Sequence, residues 1–100
     1  MIELNQLSEE AYDTAVLRDQ KPKASLKHCA GEVIEAAQAE EVYRTRGLYD
    51  PDYLEQAKKE LSLELADIVI CCMTCSFEYG IDLEKAIKAK MQANRYRIKK

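Results

Sequence analysis

The stretch between Pro51 and Gly80 contains no internal glycine or proline. It is rich in leucine, alanine, glutamate and lysine, which favour helices, so it predicts either one long helix or two helices with a bend. A straight helix of roughly 28 residues would extend about 40 Å. Asp50 followed by a proline is typical of a helix start, and Gly80 is placed to end the helix.

Three further helices are predicted from capping residues and from apolar side chains at helical spacing. The first would start after Ser8 as its N-cap, and the second would start near Ser25. Gly47 would close the second helix, and Asp82 would cap the last one. Four helices with short connections predict an all-α, four-helix-type bundle, with residues 1–100 forming a single domain.

Charge and cysteine content restrict the compartment and the partners. The formal net charge is −3, whereas nucleic-acid-binding domains usually carry a basic patch and a high pI. The N-terminal residues MIELNQLSEE lack the apolar core of a signal peptide, and the uncharged run after Asp67 is too short to span a bilayer. Four cysteines without secretory features are typical of reduced thiols. We therefore expect a cytoplasmic protein without a nucleic-acid or membrane partner.

Two pairs of carboxylates lie inside apolar segments. Glu64 and Asp67 are the only charges in the most hydrophobic part of the predicted long helix, and Glu32 and Glu35 repeat this arrangement on the second helix. Residues three apart share one side of a helix, and unpartnered buried carboxylates are costly. Either pair alone would more often be solvated, but together they favour a metal site. Oxygen-only ligands favour Mg²⁺, Mn²⁺ or Ca²⁺ over Zn²⁺.

The predicted last helix presents a polar face made by Lys90, Asn94 and Arg97, which are spaced four and three residues apart. Lysine and arginine bind phosphates, and asparagine can bond a base or a sugar. A solvated polar stripe on a terminal helix is the alternative interpretation. His28 precedes the first acidic pair and could touch a ligand, although a lone histidine on a helix is more often structural or exposed.

Cysteine spacing argues against a thiolate metal site. Cys71 and Cys75 would share a helix face, while Cys72 is turned by about 100° from Cys71, and the chain contains no second C-x-x-C motif. With Cys29, these residues are interpreted as small core residues rather than ligands.

The order and spacing of these motifs resemble the MazG-like all-α nucleoside triphosphate pyrophosphohydrolases. That family is marked by E-E-x-x-E on one helix and E-x-x-D on the next, and this chain has GEVIE at 31–35 and ELAD at 64–67. Gly31 replaces the first glutamate, a departure shared by the branch resembling dCTP pyrophosphatase, whose motif reads G-E-V-G-E. The segment KMQANRYR at 90–97 is similar to that branch's K-M-x-x-N-R-x-R. The resemblance covers roughly residues 15–97.

The resemblance implies an enzyme that hydrolyses an acid anhydride. Both acidic pairs would be catalytic and ligate Mg²⁺, with Glu35 acting partly as a base. Water would attack the α-phosphorus of a nucleoside triphosphate, releasing pyrophosphate and leaving a monophosphate. Lys90, Asn94 and Arg97 would contact phosphates or sugar. Homodimers or homotetramers, in which a neighbouring subunit completes the site, are implied as well, with a role in nucleotide-pool control or house-cleaning.

Other functions fit the same residues. A phosphoribosyl-ATP pyrophosphohydrolase would be expected to keep the double glutamate that Gly31 interrupts, and the corresponding dUTP enzymes are usually longer. A non-catalytic helical interaction module, with acids that bind only Ca²⁺ or nothing, is the alternative from another class. Its stability would be the same with and without Mg²⁺.

Overall fold

The computed structural model describes residues 3–17 and 25–98, and within those ranges it contains helices and turns but no strand. The described part of the chain thus confirms the all-α class. None of the helices in these ranges is both long enough and apolar enough to cross a membrane. In chain order the elements are α1 (Leu4–Leu17), α2 (Ser25–Val42), a π-helix (Tyr43–Gly47), α3 (Leu54–Glu78) and α4 (Leu83–Ile98).

The chain divides into two compact units. The α1–α4 unit contains α1, the end of α3 from Met73 onward, and α4. The α2–α3 unit contains α2, the π-helix and α3 as far as Cys72. Small side chains dominate the buried positions of both units, with Ala15 buried in the first and Ala57 in the second.

The start of α1 differs from the prediction. Ser8 lies inside the helix rather than at its N-cap, is almost fully buried, and donates its hydroxyl hydrogen to the carbonyl of Leu4 at 2.8 Å. Because a serine hydroxyl inside a helix can donate to the carbonyl four residues earlier, a serine in the sequence does not by itself mark the start of a helix. The backbone N–H of Leu4 instead donates to the Glu84 carboxylate at 3.4 Å. The prediction of Ser8 as N-cap was wrong because a distant residue caps α1.

Asp82 caps α4, as predicted. Its carboxylate accepts the backbone N–H of Lys85 at 3.0 Å and the side-chain amide of Asn5 at 2.8 Å. The hydrogen bond from Asn5, followed by the one from the Lys85 backbone, lowers the pKa of the Asp82 carboxyl. The same aspartate therefore starts α4 and ties it to α1 within the α1–α4 unit.

α3 is one continuous helix with the predicted signals at both ends. Asp50 accepts the backbone N–H of Asp52 at 3.1 Å, and its carbonyl accepts the N–H of Leu54 at 3.1 Å. At the other end Gly80 has a φ of +65°, and the N–H of Ile81 reaches back to the carbonyl of Ser76 in a Schellman arrangement. Local capping chemistry is thus sufficient to set both ends of this helix.

Gly47 acts differently from the prediction. The chain continues past Val42 as a π-helix, and Gly80, not Gly47, has the positive φ expected of a helix-closing glycine. A Cβ at position 47 would lie 2.8 Å from the Cβ of Ala57 on α3. Glycine is therefore needed here because the π-helix and α3 approach each other closely.

Candidate metal centre

Three of the four predicted carboxylates meet between α2 and α3. Glu32 and Glu35 lie one turn apart on α2, and Glu64 comes from α3 within the same unit. One oxygen from each side chain lies within 4.8 Å of the others. We call these three residues the acidic cluster. Among the described residues, it is the one group of histidine, cysteine and acidic side chains whose atoms are close enough to hold a metal ion.

Asp67 lies beside the acidic cluster rather than in it. It follows Glu64 by three residues on α3, and its side chain is exposed. Its charge nevertheless acts on Glu64, where it raises the pKa of that carboxyl. The structure therefore brings together three of the predicted ligands, and the role of Asp67 as a fourth remains a prediction.

The surroundings of Glu64 disfavour a negative charge on its carboxyl group. Its Oε2 atom is buried, and no hydrogen-bond donor of the described residues reaches it. Burial raises the pKa of the Glu64 carboxyl above its ordinary value, and the charges of Glu35 and Asp67 raise it further. A positive ion among these oxygens would offset both effects, since it supplies the missing partner and neutralises the repulsion.

The raised pKa of Glu64 predicts a pH dependence in metal-free buffer. A carboxyl whose pKa is higher in the folded state than in the unfolded state favours folding only while it is protonated. The charged Glu64 carboxylate therefore destabilises the folded state increasingly as the pH rises above 4.5, the ordinary glutamate pKa. The destabilisation is complete above the higher pKa of the folded state. Because glutamine stays neutral, the melting temperature of Glu64→Gln should increase relative to that of the wild type as the pH rises through this range.

Melting curves of both proteins from about pH 4 to about pH 7, recorded without divalent cations, measure this difference. A difference that does not change over that range would contradict the raised pKa. Adding Mg²⁺ at neutral pH should make the wild type melt at the higher temperature, because the ion stabilises the charged carboxylate that only the wild type has.

The apolar surroundings of the acidic cluster are less enclosed than the sequence predicts. Leu63 and Leu65 flank Glu64 on α3, and they are 58% and 52% exposed. On α2, Val33 and Ile34 are also exposed. α3 is therefore open to solvent around Glu64, whereas Cys71, Met73 and Thr74 further along the same helix are buried.

The predicted phosphate-binding residues lie on α4, in the α1–α4 unit. Lys90, Asn94 and Arg97 are all exposed, as expected for side chains that receive a ligand from solvent. Their helical positions confirm that they share one face of α4. His28 belongs to α2, and its side chain lies outside the described part of the chain.

A pair of thiols beside the acidic cluster was not anticipated as a pair. Cys29 lies one turn before Glu32 on α2, Cys71 lies one turn after Asp67 on α3, and both are buried. The charge and hydrogen bond of Cys29 act on the Cys71 thiol. The shared one-turn offset from the two acidic motifs is the sequence signal that could have revealed this contact.

The α2–α3 unit thus combines an all-oxygen ligand cluster with an adjacent thiol pair. Comparison of the chain with protein-family models, with curated proteins and with solved structures finds no match.

Proposed function

We propose that the protein is a Mg²⁺-dependent nucleoside triphosphate pyrophosphohydrolase of the MazG-like type. It would cleave a (deoxy)nucleoside triphosphate into the monophosphate and pyrophosphate, for nucleotide-pool control or house-cleaning. The observation that carries the proposal is the meeting of Glu32, Glu35 and Glu64 across two helices. Their motifs lie in the order and spacing that the resemblance requires.

The residues present fit a hard divalent cation. All three groups of the acidic cluster offer carboxylate oxygens, and the unsatisfied Oε2 of Glu64 supplies a buried acceptor. Mg²⁺ prefers oxygen ligands and keeps several waters, so a site of a few carboxylates open to a triphosphate suits it. Zn²⁺ sites usually contain histidine or cysteine, which the acidic cluster lacks.

The carboxylates divide into two tasks. Glu32 and Glu64 are partly buried and would fix the position of the metal from α2 and α3. Glu35 is exposed, so it is accessible to accept a proton from the water that attacks the α-phosphorus. When bound, Mg²⁺ supplies neutralisation of the triphosphate charge and a lower pKa for the attacking water. The bond between the α-phosphorus and its bridging oxygen breaks, and pyrophosphate leaves.

The exposed face of α4 is suited to hold an anionic substrate. Lys90 and Arg97 provide cations for phosphate oxygens, and Asn94 between them can bond a sugar hydroxyl or a base. The cations on this face favour a phosphate-bearing substrate, and measurement has to establish which base is preferred.

A panel of nucleoside and deoxynucleoside triphosphates tests the proposed reaction. With Mg²⁺ we expect release of pyrophosphate rather than phosphate, together with the monophosphate, and no turnover after EDTA. Lys90→Ala should raise KM more than it lowers kcat, since it removes a phosphate contact, while Lys58→Ala on α3 serves as a matched control. Absence of turnover of every nucleotide, together with a melting temperature unchanged by Mg²⁺, would favour a non-catalytic interaction module.

We further propose that copies of the chain associate into a homodimer or homotetramer, a four-helix-type bundle in each copy. The support is the exposed apolar surface of α2 and α3, since monomers rarely leave large apolar patches in water. Leu63 and Ile70 lie two turns apart on the same side of α3 and are both exposed.

Light scattering at micromolar concentration checks this assembly. The wild type should have the mass of a dimer or tetramer, and Leu63→Glu should shift it toward the monomer, because a charge at a buried contact is costly. The neighbouring Ser62→Glu is the matched control and should leave the mass unchanged. A monomeric wild type would contradict the assembly.

A further inference from the structure

Cys29 and Cys71 form a contact between α2 and α3 that the proposed reaction does not use. Both side chains are about nine-tenths buried. The thiol of Cys29 points at α3, where its sulfur lies 4.0 Å from the carbonyl oxygen of Ile68, one turn before Cys71. Cys29 is also the side chain whose charge and hydrogen bond act on the Cys71 thiol. The two buried side chains therefore meet in the contact between α2 and α3.

The other two cysteines are less suited to pairing. Cys71, Cys72 and Cys75 all lie on α3, and residues three or four apart on a helix have Cβ atoms about 5–6 Å apart. A disulfide needs Cβ atoms about 3.5–4.5 Å apart, so a bond within α3 would distort the helix. None of the four cysteines, all in the described part of the chain, is in a disulfide. The cross-helix pair is therefore the favoured place for oxidation.

We propose that Cys29 and Cys71 are an oxidant-responsive pair, which a peroxide converts to a disulfide that clamps α2 to α3 one turn from the acidic cluster. The sulfur of Cys29 attacks one peroxide oxygen, the O–O bond breaks, and the departing oxygen takes the Cys29 proton and leaves as the first water. The sulfur of Cys71 then attacks the sulfenic sulfur of Cys29. The S–S bond forms, the S–O bond breaks, and the Cys71 proton departs with the second water. Two thiols are oxidised and one peroxide is reduced to two waters.

The surroundings of the pair assign these two roles and set the speed. Burial, followed by the charge and hydrogen bond of Cys29, raises the pKa of the Cys71 thiol to about 11. Cys71 therefore keeps its proton at neutral pH and acts as the resolving thiol, because only a thiolate attacks peroxide efficiently. Because burial limits the access of peroxide to the thiols, the disulfide forms slowly and under sustained oxidation. A dithiol reductant reduces it again.

Closure has a mechanical consequence for the α2–α3 unit. The bonded sulfurs lie about 2.05 Å apart, which is much closer than two hydrogen-bonded thiols. The covalent link also closes a long loop of the chain, and such links stabilise mainly by restricting the unfolded state. Oxidised protein should therefore melt about 10 °C or more above reduced protein. This effect does not depend on nucleotide hydrolysis and can be measured in the full chain without substrate.

Peptide mapping locates the bond. The full-length protein is treated with hydrogen peroxide, alkylated, and digested with trypsin without reduction. We expect a cross-link between the peptide covering 28–44 and the peptide covering 60–85, which dithiothreitol removes. The second peptide contains three cysteines, so a variant with Cys72→Ala and Cys75→Ala must keep the cross-link and the rise in melting temperature. Cys71→Ala and Cys29→Ala must each lose both.

Several results would overturn the proposal. They are a cross-link that survives Cys71→Ala, a bond within the 60–85 peptide instead, or a bond between two copies seen as a dimer on a non-reducing gel. Oxidation of wild type without a rise in melting temperature would also overturn it. If Cys29→Ala fails to fold, Cys29→Ser offers a hydroxyl that can still donate to the Ile68 carbonyl, and it must likewise form no cross-link.

Discussion

Replacing Glu64 with glutamine is expected to lower nucleotide turnover on the order of 100-fold or more. The variant should still fold in metal-free buffer at least as well as the wild type. The reason is that Glu64 supplies a buried oxygen without a donor among the described residues, while its charge is opposed by burial and by neighbouring acids. Glutamine removes the repelled charge and with it one ligand of the cation.

Two measurements are needed, because loss of activity alone does not reveal the cause. Steady-state kinetics with Mg²⁺ give the turnover, and melting curves with and without Mg²⁺ report cation binding. The wild type should gain melting temperature with Mg²⁺, whereas Glu64→Gln should gain much less. Glu55→Gln, an exposed acid on the same helix, is the matched control and should behave like the wild type. Equal Mg²⁺ effects on both variants would rule out the acidic cluster as the site.

Asp67→Asn extends this test to the predicted fourth ligand. If Asp67 joins the other carboxylates when the cation binds, the variant should lose activity yet fold as well or better without metal, since one repelling charge is gone. If Asp67 acts only through its charge on Glu64, activity should persist with an altered pH profile. Unfolding of the variant would instead make Asp67 a structural residue.

Gly47→Ala should destabilise the protein by about 1–3 kcal/mol, which lowers the melting temperature by roughly 5–15 °C. The new Cβ would lie 2.8 Å from the Cβ of Ala57 and 3.4 Å from the ring of Tyr43. Ala57 is almost completely buried, so neither backbone can yield easily. Thermal or urea unfolding measures the loss.

Gly31→Ala is the matched control for this prediction. No heavy atom of the described residues outside its own helical backbone and chain neighbours lies within 4 Å of a Cβ at position 31. Alanine there should be neutral or stabilising by about 0.5–1 kcal/mol, because it restricts the unfolded chain and favours the helix. Adding Ala57→Gly to Gly47→Ala should recover part of the loss. Equal effects of the two single glycine substitutions would contradict the close approach of the π-helix and α3.

Much of the fold was predictable because it depends on neighbours in sequence. The uninterrupted run after Pro51, the left-handed Gly80 and the cap at Asp82 all appear in the structure where the sequence places them. The predicted roles of Ser8 and Gly47 failed for one shared reason. Distant segments decided both features: Glu84 accepts the backbone N–H of Leu4 at the start of α1, and Ala57 of α3 leaves no room for a side chain at position 47.

The candidate site was predictable in kind and less so in detail. Charges that interrupt an apolar helix are rarely accidental, so Glu32, Glu35 and Glu64 could be identified from spacing alone. The exposure of Asp67 could not be predicted, because it depends on how α3 is rotated about its axis relative to α2. Sequence spacing does not determine that rotation. The contact between Cys29 and Cys71 follows from the same rotation.

By itself, the sequence determined that the chain is helical, where α3 ends and α4 begins, and which acids are candidates for a metal. These features depend on intrinsic propensity and on hydrogen bonds within a few residues. Only the tertiary structure decided where α1 starts, why position 47 must be glycine, and which three carboxylates meet. These depend on contacts between segments far apart in the chain, and the free energies of such contacts are as large as the local preferences that they override.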